Sequence, residues 1–207
     1  LSIREIDALD LGEIGLVHVT GIPPALSKEA REATYRLMER ARKAQIPVTF
    51  DPNLRPALWE NDEMMRTVLN NLANYADVVL PGIGECEILA GTTDKEKAAD
   101  FYHQKGAALV VIKDGKNGAY VSEKKENGEI TRDMVPGYPV KKVVDTVGAG
   151  DGFAVGVLSG LLKGLPVSEC AKRGNAIGSI QVQHRGDNEG LPTEEILQTY
   201  MVGKIQK

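Results

Sequence analysis

The sequence predicts an α/β fold: a mostly parallel sheet covered by helices on both faces. Short, continuously apolar runs of strand length recur along the chain, and segments with apolar residues three and four positions apart separate them. Strands alternating with helices build parallel sheets. Each strand is then buried on both faces, which is why its sequence is apolar throughout instead of alternating.

The elements follow in order. Leu1–Leu11 reads as an amphipathic lead-in to a strand. Ile14–Thr20, bounded by Gly21 and Pro23-Pro24, reads as a buried strand. Ser27–Lys43 carries helical spacing through Ala30, Ala33, Leu37, Met38 and Ala41, with Ser27 as N-cap. The pattern repeats as strand Pro47–Asp51, helix Asp62–Tyr75, strand Ala76–Leu80, helix Lys95–Lys105 and strand Ala107–Ile112. Ala119–Ser122 and Glu129–Val135 flank Asn127-Gly128, a strong hairpin signal, so an antiparallel excursion follows. Helices over Gly152–Leu162, Ser168–Val182 and Thr193–Lys204 close the chain, with no internal repeats.

With 207 residues, 42% of them hydrophobic, the chain is long enough for one substantial core, and a single domain is expected. A formal net charge of -4, spread without blocks, gives no basic footprint for nucleic acid and favours a small-molecule partner. Cys86 and Cys170 are too few for a disulfide framework or a zinc site. His18, His103 and His184 lie far apart and read as surface or packing residues. No apolar segment of spanning length and no signal peptide is present, so no membrane partner and a reducing cytoplasm are expected.

The chemistry centres on Val143–Phe153. An Asp-Thr pair follows two valines, then a glycine-rich bend, then Asp151 at the mouth of a small-residue helix. Backbone N–H groups at such a bend, with the positive end of the helix dipole, make a seat for an anion. A carboxylate beside that seat opposes static anion binding but suits a base that takes a proton from a hydroxyl attacking a phosphoryl group. The plain alternative is an N-capped helix after a glycine turn. Phe153 stands where a dinucleotide fingerprint needs its third glycine, and no P-loop occurs.

The string Asp145-Thr-Val-Gly-Ala-Gly-Asp151 resembles the C-terminal signature of the ribokinase-like (PfkB) carbohydrate kinases. The resemblance implies a three-layer α/β/α fold with a mostly parallel sheet. It implies an anion hole at Gly148, Ala149 and Gly150, and a catalytic base at Asp151. It covers nearly all of the sequence but only the later part of the family's length. The expectation is therefore the C-terminal portion of one kinase domain, lacking the N-terminal strands and lid.

In open parallel sheets ligands bind beyond the carboxyl ends of the strands. Four such places stand out. In Phe50–Trp59, prolines stiffen a polar loop, Arg55 offers a fork of donors for a carboxylate or phosphate, and Trp59 can anchor by burial; a structural turn with a salt-bridged arginine is the alternative. The string is similar to the loop of 2-keto-3-deoxygluconate kinases, which implies that Arg55 grips a sugar-acid carboxylate. Glu85 matches the acid of the family's Asn-x-x-Glu motif, implied to act on Mg²⁺ through water, although Gly82 stands at the Asn position; a solvated acid opening a short helix is the alternative. Lys113–Gly118 resembles the nucleotide loop, which implies that Lys113, Gly115 and Gly118 lie along ATP. Asn175 resembles a residue near the adenine, or else faces solvent. Asp187 resembles an acid that reaches the sugar, or else forms a turn.

The resemblance implies an ATP-dependent kinase with Mg²⁺ acting on 2-keto-3-deoxygluconate. Fructokinase or another sugar kinase is the nearest alternative, and a non-catalytic nucleotide-binding fragment is the alternative of another class. It leaves open a monovalent cation and a homo-oligomer of the longer protein.

Overall fold

The structure is a computed structural model and describes residues 1–203. Among them, six strands form one sheet in sequential order: β1 (Val17–Thr20), β2 (Val48–Asp51), β3 (Val78–Val79), β4 (Leu109–Lys113), β5 (Ala119–Lys124) and β6 (Ile130–Val135). The first four are parallel, with Val17 opposite Val48, Phe50 opposite Val79 and Val78 opposite Leu109. The links from β4 to β5 and from β5 to β6 are too short for a crossover, so these neighbours run antiparallel. The three-layer expectation and the antiparallel excursion both hold. The chain divides into two compact units, Leu1–Ile112 with Ser122–Thr131, and Lys113–Val121 with Arg132–Lys207.

The first unit carries α1 (Ile3–Asp7), α2 (Pro23–Leu26), α3 (Lys28–Lys43), α4 (Asp62–Leu72), α5 (Ile83–Ala90) and α6 (Lys95–Gln104). Ser27 caps α3 by accepting from the Ala30 amide at 3.0 Å, and the helix buries Ala30, Ala33, Met38 and Ala41. The lead-in to β1 is a short helix. Ser2 and Glu5 form a capping box, and the Arg40 guanidinium donates to the Ile6 and Leu9 carbonyls at the helix end. β1 begins three residues late, because Val17 is the first amide to pair, donating to Pro47 O at 2.9 Å. β3 is shorter than expected, although ladder bonds from Asp77 N to Val48 O and from Leu80 N to Phe50 O flank it. The helix expected to reach Tyr75 tightens after Leu72 into a 3₁₀ turn. Cys86 is buried and free, and His103 lies buried between Ala107 O and Ser122 Oγ.

The second unit carries α7 (Ala149–Leu162), α8 (Val167–Gln181) and α9 (Glu194–Met201). Small residues let α7 and α8 approach closely. A Cβ on Gly156 would come within 2.6 Å of Gly174 Cα, and one on Gly160 within 2.8 Å of Cys170 Sγ. Cys170 is also buried and free. Thr193 caps α9, which buries Leu197 and Tyr200; Lys204, the expected end of this helix, lies outside the described residues. No helix of the described residues is long and apolar enough to cross a membrane.

Candidate active site

In the second unit the signature loop is held by its own first residue. The Asp145 carboxylate accepts from Val147 N at 3.1 Å and from Gly186 N at 3.4 Å. These amides, Val147's first, hold its carboxyl below the usual aspartate range. The chain then turns left-handed at Gly148, with φ +73°, and this residue is the N-cap of α7. Gly148 packs on the backbone of Asp187, where a Cβ would come within 2.7 Å of Asp187 Cα. Glycine meets both demands, the positive φ and the close approach.

The helix therefore starts three residues earlier than the sequence suggests, and Asp151 lies inside its first turn with an exposed side chain. It is not the cap. The first turn of a helix has amides without partners inside the helix, and here they belong to Ala149, Gly150 and Asp151. Ala149 N turns back to Thr146 O at 3.3 Å. This turn is where the sequence reading expected an anion seat, and Asp187 lies against it.

A cavity of about 360 Å³ opens beside this turn, within the size range of small-molecule sites. Lys113, Gly115, Gly118, Ala149, Gly150 and Asn175 all line it, so the fold gathers residues that the sequence reading expected along a nucleotide and its phosphates. Lys113 Nζ lies 3.9 Å from where a Cβ on Gly150 would stand. The loop after β4 folds as a 3₁₀ turn over Gly115–Asn117, with φ +53° at Gly115 and +102° at Gly118. Gly118 packs against the backbone of Val135–Gly137, so closely that no side chain fits.

Asn175 does not face solvent, a correction to one of its two readings. It is 7% exposed, and its Nδ2 donates to Val135 O at 3.0 Å and to Pro136 O at 3.1 Å. Both donors hold the end of β6.

In the first unit β2 ends at the buried Asp51, which accepts from Asn53 N at 3.1 Å, and Asn53 takes a left-handed φ of +41°. Leu54 N then donates to Glu85 Oε1 at 2.8 Å, while Gly82 N donates to Glu85 Oε2 at 2.6 Å. Glu85 is thus no solvated acid. It caps α5 and ties that helix to the loop after β2, and with several lone pairs per carboxylate it keeps acceptor capacity. At Gly82, φ is -80° and a Cβ would meet Glu85 Oε2 at 3.4 Å, so an asparagine there is sterically ordinary.

Arg55, the next residue, is exposed and donates to Leu54 O at 2.9 Å. Among the described residues it has no acidic partner, so the salt-bridged reading is corrected. Trp59 is buried as an anchor, with the Arg31 guanidinium 5.3 Å from its ring.

Sequence reasoning assigned no wall role to the mostly apolar lining of the cavity, among it Tyr138, Val140, Val143, Phe153 and Val182. Such residues carry no chemical signature. Among the described residues no cluster of histidine, cysteine and acids could hold a metal alone. Mg²⁺ fits the site only with nucleotide phosphates supplying most of its ligands.

Residues 3–194 match the pfkB family carbohydrate kinase pattern. The chain is 50% identical to the 2-dehydro-3-deoxygluconokinase of Bacillus subtilis (strain 168), across 90% of this chain and 56% of that protein. It superposes on the PfkB protein from Polaromonas sp. JS666 with a TM-score of 0.83 at 45% identity, covering 96% of this chain and 61% of that one. It superposes on the fructokinase from Vibrio cholerae O395, bound to fructose, ADP and calcium ion, with a TM-score of 0.86 at 26% identity, covering 97% of this chain and 64% of that one. The chain therefore spans a little over half the length of the curated relative and about three fifths of the solved ones. By its matched length and by these likenesses, the chain belongs to the pfkB family of carbohydrate kinases.

Proposed function

We propose that the protein carrying this chain is an ATP-dependent kinase that phosphorylates 2-dehydro-3-deoxygluconate, the sugar acid also called 2-keto-3-deoxygluconate. The observation that carries the reading is the half-identity to a 2-dehydro-3-deoxygluconokinase, together with an exposed Arg55 in the loop after β2. An arginine without an acidic partner is suited to a substrate carboxylate, which it can grip with two parallel donors.

In this reading the cavity of the second unit seats ATP, with Lys113 and the first-turn amides of α7 toward the phosphates and Gly115 and Gly118 along the nucleotide. Gly148, Ala149 and Gly150 stabilise the charge that gathers on the transferred group. The Asp151 carboxylate takes the proton of the attacking hydroxyl. That oxygen bonds to the γ-phosphorus as the bond from phosphorus to the bridging oxygen breaks, and ADP departs. Asp187, against Gly148, is the acid on the sugar side. Mg²⁺ would offset phosphate charge, with Glu85 acting on it through water.

A coupled assay across neutral sugars and keto-deoxy acids, on the protein that carries this chain, tests the reading. The expected result is a strong preference for the acid that Arg55→Ala removes. Equal use of fructose would transfer the assignment to a fructokinase, like the structural relative that binds fructose.

A further inference from the structure

Behind the turn that carries Asp187 lies a glutamine that the proposed chemistry does not use. Gln181 is the last residue of α8, and its side chain is wholly buried. Its Nε2 donates to Gly186 O at 2.8 Å. The N–H of the same glycine donates to the Asp145 carboxylate at 3.4 Å. Both polar groups of Gly186 are thus tied, one to the first residue of the signature loop and the other to the end of α8.

The turn folds tightly over this glutamine. Gly186 takes a positive φ of +88°, and a Cβ on Gly190 would come within 2.6 Å of Gln181 Oε1 and 2.9 Å of His184 Nδ1. Gln181 Cβ also lies 3.7 Å from where a Cβ on Gly152 would stand, so the same side chain lies against α7 near its start. Asp187 follows Gly186 directly, and its backbone is what Gly148 packs on. Anchoring the Gly186 carbonyl therefore fixes Asp187 and, through it, the turn that opens α7.

The other half of the amide is idle. Gln181 Oε1 is buried without a hydrogen-bond partner among the described residues. An orphaned buried acceptor costs stability. Methionine has a side chain of similar length and carries no such acceptor, so what glutamine adds at this place is its one donor to Gly186 O.

We propose that Gln181 is a positioning residue for the sugar site: its amide, through Gly186, sets Asp187 toward the substrate and seats it on Gly148. The inference rests on reading Asp187 as the acid on the sugar side.

Gln181→Met, in the protein that carries this chain, tests it. Loss of one hydrogen bond is offset by removal of the orphaned acceptor, so the midpoint of urea unfolding is expected to stay close to the parent's. KM for 2-dehydro-3-deoxygluconate is expected to rise at least roughly tenfold, with KM for MgATP within about twofold of the parent's. A variant that merely loses folded molecules lowers kcat and leaves both KM values as they were. That outcome, unfolding of the variant, or kinetics equal to the parent's would overturn the proposal. Hydrogen exchange decides the point apart from the chemistry: amides of residues 186–190 should exchange faster in Gln181→Met, and unchanged exchange also overturns the proposal. A parent that fails to phosphorylate the acid overturns the kinase reading instead, and the exchange rates still decide whether Gln181 holds the turn.

Discussion

Gly148 lies directly on the backbone of Asp187, with room for no atom beyond its own hydrogens. Gly148→Ala therefore meets two penalties. The left-handed φ costs a Cβ-bearing residue about 1–2 kcal/mol, and the Asp187 segment must also move. The expected outcome is a lower thermal midpoint and at least roughly tenfold weaker binding of MgADP, since the loop that loses its shape is the proposed anion seat.

Gly150→Ala is the control. Gly150 lies inside α7 without a positive φ, and a new Cβ would meet Lys113 Nζ at 3.9 Å, ordinary contact. Its stability should be unchanged or raised, by up to about 1 kcal/mol, because glycine is a poor helix former. Equal destabilisation of the two variants in thermal melts would show that the turn at Gly148 is not specially constrained.

Strands were legible where burial on both faces wrote itself as an apolar run; Pro47–Asp51 was expected and Val48–Asp51 is found. Ends were less legible, since the partner's hydrogen bonds decide them, as at β1 and β3. The start of α7 was missed because Gly148-Ala149-Gly150 reads as loop, and the helix begins there through one left-handed residue. The lead-in was expected only to be amphipathic and to precede a strand; its helix is encoded by the capping signature Ser2-x-x-Glu5. In the site, the signature string was legible from its resemblance. The use of Asn175 and the tie from Glu85 to Leu54 were not, since those partners lie 39 to 40 and 31 residues away in sequence.

Glu85 is expected to be structural as well as chemical. Truncation by Glu85→Ala leaves the amides of Leu54 and Gly82 without their acceptor and should cost about 1–3 kcal/mol in urea unfolding. Gly82→Asn, which restores the family's motif, should stay within about 0.5 kcal/mol of the parent, because glycine and asparagine differ little as N-caps. A stable Glu85→Ala chain would show that the loop after β2 holds its shape without this tie.

Arg55→Ala should leave stability within about 0.5 kcal/mol of the parent, since surface residues outside named structural features seldom matter more. Among the described residues, its one hydrogen bond is to the carbonyl of the preceding residue. A large loss in urea unfolding would make Arg55 part of the scaffold and weaken its claim on a substrate carboxylate.

The last expectation concerns acid. Arg173 is 3% exposed in its side chain and donates to both oxygens of Glu194, at 2.9 and 2.7 Å, while Lys163 reaches the same carboxylate at 2.8 Å. Arg173, then Lys163 and Gln198, hold the Glu194 carboxyl well below its ordinary value of 4.5. A carboxyl depressed in the folded state contributes stability that is fully present above its unfolded value and is lost as pH falls below it. The half-exposed carboxylate is screened, but its buried arginine has no second acid among the described residues. Glu194→Gln should therefore unfold at lower urea than the parent above about pH 5, and the gap should close on acidification as the parent's Glu194 takes up its proton. Other depressed carboxyls, such as Asp145, act in both proteins and cancel from the difference. A gap that persists unchanged down through the acid range would mean that the shape of the Glu194 side chain, and not its charge, is what Arg173 requires.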